Sequence, residues 1–137
     1  MTVTVIQIGL DADAIDYSSP AFRQFPGLTK EKLRKANDHN VAGLQAAGYE
    51  VDNCLIGFGE AGAAKARKWL EARRYDAVLI GAGIRLVAEH TELFESIVND
   101  AHRTQPGCRF VFNFAPQSTP RDVRRWYPQP GNATPAR

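Results

Sequence analysis

Cysteine is scarce in this chain, which contains only Cys54 and Cys108 among 137 residues. Cys54 falls inside a predicted strand and Cys108 directly precedes one, and their separation matches neither a zinc-binding pattern nor a disulfide framework. We therefore interpret them as buried reduced thiols and expect no metal site.

Long apolar runs and an excess of either charge are also missing. No apolar run approaches the roughly 20 residues of a membrane span, and the N-terminus lacks the basic start and cleavage site of a signal peptide. We expect a cytoplasmic protein without a membrane partner. The 17 basic and 15 acidic residues are interspersed and give a net charge of +2 at pH 7. This balance gives no reason to expect a nucleic-acid partner.

What the chain does contain is an alternation of strand and helix patterns. Strands are predicted over residues 3–8, 49–56, 77–80 and 109–114, and helices over residues 29–47, 61–73, 89–103 and 119–126. We assign residues 1–127 to a single α/β domain, a usual size for one core. The last ten residues, 128–137, are rich in Pro, Gly and Ala and are expected to form a disordered tail.

The strand patterns predict the order of the sheet. The second strand alternates polar and apolar residues, as an edge strand does, whereas the third is apolar throughout and must be central. Right-handed crossovers then give a four-stranded parallel sheet of order 2-1-3-4 in a three-layer, doubly wound sandwich, a flavodoxin-like or Rossmann-like winding. In such sheets the ligand crevice lies between the carboxyl ends of strands one and three, where the winding reverses.

The turn after strand three carries the most informative residues. Gly81 and Gly83 allow close approach to the backbone, and Arg85 is a charged fork suited to carboxylate or phosphate. His90 follows at the start of the next helix, where it is a candidate acid/base group near neutral pH. We expect these residues to meet three ligand-binding candidates at the end of strand four and just after it. Those candidates are Asn113, Gln117 and Ser118.

A long loop is predicted over the same crevice. About 20 residues, 9–28, show neither a helical nor a strand period, although such connections usually need about 2–6 residues. Gly9, Ser18 and Ser19 are candidate ligand contacts in it, and Asp11 and Tyr17 are candidate assistants to His90. The loop is either a mobile lid or a fixed plug. An open pocket containing Arg85 and His90 would favour ligand binding, and a pocket filled by Tyr17 or Phe22 would favour an assembly role.

Two named motifs fit only in part. Residues 57–62, Gly-Phe-Gly-Glu-Ala-Gly, match the dinucleotide pattern G-x-G-x-x-G, but they follow the predicted edge strand, and the next strand ends in Gly81 instead of an acidic residue. Close helix packing is the favoured use of these glycines. Asp11-Ala-Asp13 matches the first motif of haloacid-dehalogenase-type phosphatases, but strand four ends without the carboxylate pair that would hold magnesium.

Two classes of function remain. The first is a protein that binds an anionic small molecule, phosphorylated or nucleotide-like, at the carboxyl ends of strands one and three, with acid/base catalysis as an option. The second is a non-enzymatic regulatory or assembly module that forms homo-oligomers, since a four-stranded sheet leaves two open edges. No cofactor follows from these residues.

Overall fold

A four-stranded parallel sheet lies at the centre of the computed structural model, which describes residues 2–128. Its strands are β1 (Thr4–Leu10), β2 (Glu50–Ile56), β3 (Ala77–Ile80) and β4 (Arg109–Phe112). Parallel pairing of β1 with β2, β1 with β3 and β3 with β4 gives the order β2-β1-β3-β4, which confirms the predicted order. The predicted tail lies outside the described residues except for Pro128.

Strands β2 and β3 differ in burial, as their sequence patterns indicated. All four residues of β3 are buried, whereas β2 buries only Cys54 and Ile56. Glu50 and Asp52 on β2 instead bind Arg73, with guanidinium to carboxylate distances of 2.7 and 3.1 Å. Charged side chains thus cover an exposed strand edge.

Helices cover both faces of the sheet. They are α1 (Lys30–Ala46), α2 (Gly59–Ala72), α3 (Ala82–Arg85), α4 (Thr91–Thr104) and α5 (Thr119–Trp126). Ile6 and Ile80 pack on one face in the core that includes α2 and α4, and Val5 and Leu79 pack on the other face with Leu44 of α1 and α5. The result is the predicted three-layer α/β arrangement. None of the helices within residues 2–128 is long and apolar enough to cross a membrane.

Three regions differ most from the sequence prediction. The turn containing Gly83 forms the short helix α3, and a 3₁₀ turn over Ala88–His90 precedes α4, which begins at Thr91. Strand β4 ends at Phe112, two residues early, because the Phe114 N–H donates to Ser118 Oγ (3.1 Å) instead of continuing the ladder. The loop after β1 contains two 3₁₀ turns, Ala12–Ala14 and Pro20–Phe22.

The glycines of the partial dinucleotide motif serve packing. A Cβ atom on Gly62 would lie only 2.1 Å from the carbonyl oxygen of Gly57, far inside van der Waals contact. The start of α2 therefore touches the backbone of the preceding loop directly, which requires glycine at position 62. This agrees with the favoured interpretation of the motif.

Candidate functional site

A cavity lies between the sheet and α1 at the carboxyl ends of β1 and β3. The space that the centre of a water molecule can reach is about 50 Å³, enough for about three to five waters. It lies at the reversal of strand order, where this type of sheet binds ligands. The cavity is lined by Gln7, Ile8, Gly9, Leu10, Ile15, Phe22, Phe25, Leu28, Leu33, Asn37, Asn40, Leu79, Gly81, Ala82, Gly83, Asn113, Pro116 and Thr119.

The roof of the cavity comes from the loop after β1. Phe22 and Phe25 contribute aromatic rings whose centroids lie 6.2 Å apart, and Leu28 follows them. The loop is held by its own turns, because Asp11 Oδ1 accepts from the Asp13 N–H and Ser19 Oγ accepts from the Ala21 N–H. The loop covers the cavity, and Phe22 lines the cavity without filling it.

Predicted glycines form part of the floor. Gly9, Gly81 and Gly83 all line the cavity. A Cβ on Gly83 would lie 3.1 Å from Leu10 Cδ1, and one on Gly81 would lie 3.5 Å from the Ile8 carbonyl oxygen. The absence of side chains at these two positions lets the turn after β3 pack closely on β1.

The polar part of the wall is uncharged. Within residues 2–128 the cavity is lined by no Asp, Glu, Lys, Arg or His. Its polar side chains are amides and one hydroxyl, while most of the remaining wall is aliphatic or aromatic. The polar side chains are Gln7, Asn37, Asn40, Asn113 and Thr119.

Asn113 lies where it was predicted, but its hydrogen bonds hold the fold together. Its Oδ1 accepts from the Ala82 N–H (2.9 Å) and from Arg85 Nη1 (3.1 Å), and its Nδ2 lies 3.4 Å from Thr119 Oγ1. The amide thus connects β4 to α3 and α5. Asn113 lines the cavity with its hydrogen-bonding atoms already engaged.

Gln7 and Asn40 differ from Asn113 in this respect. Gln7 is 3% exposed and Asn40 is 1% exposed. Gln7 Nε2 donates to Asn53 Oδ1 (2.9 Å), and Asn40 Nδ2 donates to the Pro116 carbonyl oxygen. Gln7 Oε1 and Asn40 Oδ1, however, have no hydrogen-bond partner in the described part of the chain. Buried polar atoms are nearly always paired, so these two acceptors call for an explanation.

Arg85 does not line the cavity. Its Nη1 donates to the Ile80 carbonyl oxygen (2.7 Å) and its Nη2 to the Asn113 carbonyl oxygen (2.8 Å), and the guanidinium lies 5.1 Å from the centroid of the Phe112 ring. Burial lowers the pKa of Arg85, against the raising effect of Asp122, and the group stays cationic at neutral pH. No carboxylate of residues 2–128 lies within 4 Å of it.

His90 is packed between rings beside the cavity and does not line it. The side chain stacks on Phe58 with centroids 4.7 Å apart, and its centroid lies 6.0 Å from that of Phe22. Its Nδ1 lies 2.9 Å from the Gly83 carbonyl oxygen, which fixes the ring and assigns a proton to Nδ1 in the neutral form. The residue is 8% exposed. The cavity therefore contains neither Arg85 nor His90 in its lining.

The candidates in the loop make their side-chain hydrogen bonds to other residues of the loop. The Tyr17 hydroxyl donates to the Ala12 carbonyl oxygen (2.8 Å), and burial raises the pKa of Tyr17. Ser18 donates through its N–H and its hydroxyl to Asp16. Asp11 and Ser19 cap the two 3₁₀ turns. None of these four predicted residues lines the cavity.

The other two candidates after β4, Gln117 and Ser118, lie outside the cavity. Gln117 is exposed on the surface. The Ser118 hydroxyl donates to Asp122 Oδ2 (2.6 Å) and lies 3.1 Å from the N–H groups of Phe114 and Ala115. Ser118 thus holds the start of α5 in place.

The sequence analysis missed four polar residues of the cavity wall, Gln7, Asn37, Asn40 and Thr119. A signal for three of them exists. Gln7 interrupts an otherwise apolar strand, and Asn37 and Asn40 occupy the helical stripe that continues from Leu33 to Leu44. Polar residues at core positions that belong to an apolar pattern indicate either a structural hydrogen bond or a function.

The comparisons with known proteins add no assignment. No protein-family model matches this chain, and neither do the curated proteins or the solved structures searched. The fold and the site therefore carry the functional argument alone.

Proposed function

We propose that this protein binds a small molecule in the cavity at the carboxyl ends of β1 and β3. The observation that carries the proposal is a mainly apolar cavity at the reversal of strand order, lined by four amide side chains and one hydroxyl. Ligand sites typically combine this location with apolar walls and a few oriented polar groups.

Binding is better supported than catalysis. The acid/base candidates His90, Asp11 and Tyr17 do not line the cavity, and each makes a hydrogen bond within the fold. A reaction at this site would need one of them to turn toward the ligand. Acid/base chemistry therefore stays a prediction from the sequence.

An anionic ligand at the same end of the sheet is the second candidate, and Arg85 favours it. Its guanidinium is half-buried, with no carboxylate within 4 Å among residues 2–128, and its three hydrogen bonds leave two of five N–H groups for a ligand. A phosphate or carboxylate would neutralise this charge. Arg85→Gln would then abolish anion binding and leave the affinity for neutral ligands unchanged.

Methyl NMR during a fragment screen tests the proposal. Ile8, Leu10 and Leu79 line the cavity and report on its occupation, while Leu70 and Ile97, buried between α2 and α4, serve as internal controls. We expect a bound fragment to shift the first three sets of methyl resonances and to raise Tm, as any ligand specific to the folded state does. A screen in which no fragment shifts them would refute small-molecule binding.

Self-association, the role of a non-enzymatic assembly module, remains an alternative proposal, and the exposed edge at β4 favours it. Among residues 2–128, strand β4 pairs only with β3, and Leu86, Phe112 and Phe114 are exposed, Phe114 at 74%. An open strand beside exposed aromatic rings is a usual site of association. Light scattering over a range of concentrations tests this, with Phe114→Ser expected to reduce the mass of any oligomer. A monomer at the highest soluble concentration would rule it out.

A further inference from the structure

The chemistry of the cavity wall restricts what it can bind. Asn40 Oδ1 needs a donor, and its orientation is fixed, because the Pro116 carbonyl oxygen can only accept and so must face Nδ2. The amide cannot turn its N–H groups toward the cavity without losing that hydrogen bond. Any molecule that satisfies Asn40 therefore presents an N–H or O–H group.

The amide of Gln7 can pair with a ligand group that donates a hydrogen bond or with one that accepts it. Its amide faces the amide of Asn53, and in the observed orientation Oε1 is left without a partner. Exchanging oxygen and nitrogen in both amides would keep their hydrogen bond and leave an N–H of Gln7 unpaired instead. A ligand group with both donor and acceptor atoms suits either arrangement.

The absence of charged side chains from the cavity wall, among the described residues, restricts the charge of the ligand. With only uncharged side chains lining the cavity among the described residues, an anion or a cation would lose its hydration and meet no opposite charge. Burying an unpaired charge costs far more than burying an uncharged amide or hydroxyl that finds its hydrogen bonds.

We propose that the ligand of this cavity is a compact uncharged molecule with N–H or O–H donors, of which a primary carboxamide is the simplest example. Because Asn40 Oδ1 and Gln7 Oε1 each have less than 1 Å² of accessible surface, the wall must shift slightly when the ligand enters. The ligand then donates to Asn40 Oδ1 and exchanges a hydrogen bond with Gln7, while its carbon atoms contact the apolar wall. This inference rests on the proposed small-molecule function and defines its ligand class. Compactness follows from the space of about 50 Å³.

Three probes of nearly equal shape separate the charge classes. Acetamide is neutral, acetate is anionic and acetamidinium is cationic. We titrate each into the wild-type protein and follow the side-chain NH₂ resonances of Gln7 and Asn40. Acetamide is expected to shift both with a Kd in about the millimolar range, as befits so few atoms. Acetate and acetamidinium are expected to bind at least about tenfold more weakly, because each loses hydration without gaining a counter-charge.

A pair of variants tests whether the shift comes from the cavity. Gln7→Met keeps the length of the side chain and removes its hydrogen-bonding amide, and we expect it to weaken acetamide binding at least about tenfold. Gln45→Met makes the same change on the exposed end of α1, away from the cavity, and should leave binding unaltered. Asn40→Leu provides an independent variant if Gln7→Met does not fold.

The possible failures are distinguishable. Tighter binding of acetate or acetamidinium at the same resonances would overturn the ligand class and leave small-molecule binding standing. A cavity that holds ordered water only, with no response to any of the three probes, would overturn the class as well. If the wider fragment screen also left the cavity methyls unchanged, the proposed function would fall with it.

Discussion

Two buried glutamines show how differently this fold treats its polar side chains. Gln105, 2% exposed, follows α4 at the amino end of β3; its Oε1 accepts from the Tyr75 N–H, and its Nε2 donates to the carbonyl oxygens of Leu70 and Arg73, all at 2.7–2.8 Å. Gln7, on β1, makes one side-chain hydrogen bond and leaves Oε1 unpaired. Folding accounts for Gln105 completely, and it does not account for Gln7.

This difference separates structure from function within one sheet. A polar side chain retained for folding is expected to have every buried atom paired, because unpaired atoms destabilise the native state. A side chain retained for binding has a polar atom that pairs only with the ligand. In the ligand-free protein that unpaired atom lowers the stability of the native state. The comparison thus assigns Gln105 to the fold and Gln7 to the cavity, and it predicts opposite effects of the same substitution.

The largest expected effect is that of Gln105→Met. The change leaves the Tyr75 N–H and the carbonyl oxygens of Leu70 and Arg73 without partners, at the end of α2 where helix carbonyls already lack them. We expect the free energy of unfolding to fall by about 4 kcal/mol, measured by urea denaturation. The exposed Gln45→Met is the control and should change stability by less than about 0.5 kcal/mol. An equally small loss for Gln105→Met would remove the basis of the comparison.

Asn113→Leu tests whether an amide that lines the cavity can be removed without loss of stability. Asn113 is in contact with the cavity like Gln7, yet it pairs with the Ala82 N–H and with Arg85. Its loss should therefore cost about 3 kcal/mol, close to the effect at Gln105 in the same urea experiment. If Asn113→Leu is as stable as the wild type, unpaired atoms are not what distinguishes the residues.

Much of the fold could be predicted from the sequence, and much of the site could not. The alternating pattern of β2 and the continuous apolar pattern of β3 reflect burial, which strand order determines, so the order could be inferred. The hydrogen-bond partners of Arg85 could not be inferred from the sequence. They are two backbone carbonyl oxygens and one side-chain amide at the ends of β3 and β4. A charged residue at a strand end has the same sequence pattern whether it binds a ligand or its own fold.

Asp122 extends the comparison to a buried charge. Burial alone would raise the pKa of this carboxyl group, but hydrogen bonds from the Ser118 hydroxyl, Arg125 and the Phe114 N–H lower it below its ordinary value. The ionised form is therefore favoured by folding, and its contribution to stability is present above the unfolded pKa of about 3.9 and disappears as pH falls through the folded value.

Asp122→Asn should consequently lower the free energy of unfolding by about 2 kcal/mol at pH 7. The gap between variant and wild type should close as the pH falls below about 4, where the wild type loses its own ionised carboxylate. Urea denaturation at a series of pH values measures both curves. Parallel curves over the whole pH range would show that the charge of Asp122 contributes nothing to the free energy of unfolding.

Gln7→Met has the smallest expected effect and the opposite sign. Methionine has nearly the length of glutamine and no buried acceptor to leave unpaired, while the Asn53 side chain, half-buried on edge strand β2, can turn to water. Removing one unsatisfied atom at the loss of one hydrogen bond should stabilise the ligand-free protein by up to about 1 kcal/mol. The same variant should bind acetamide worse, so stability and binding would move in opposite directions, as expected for a residue kept for function. A loss of stability comparable to that of Gln105→Met would mean that Gln7 belongs to the fold after all.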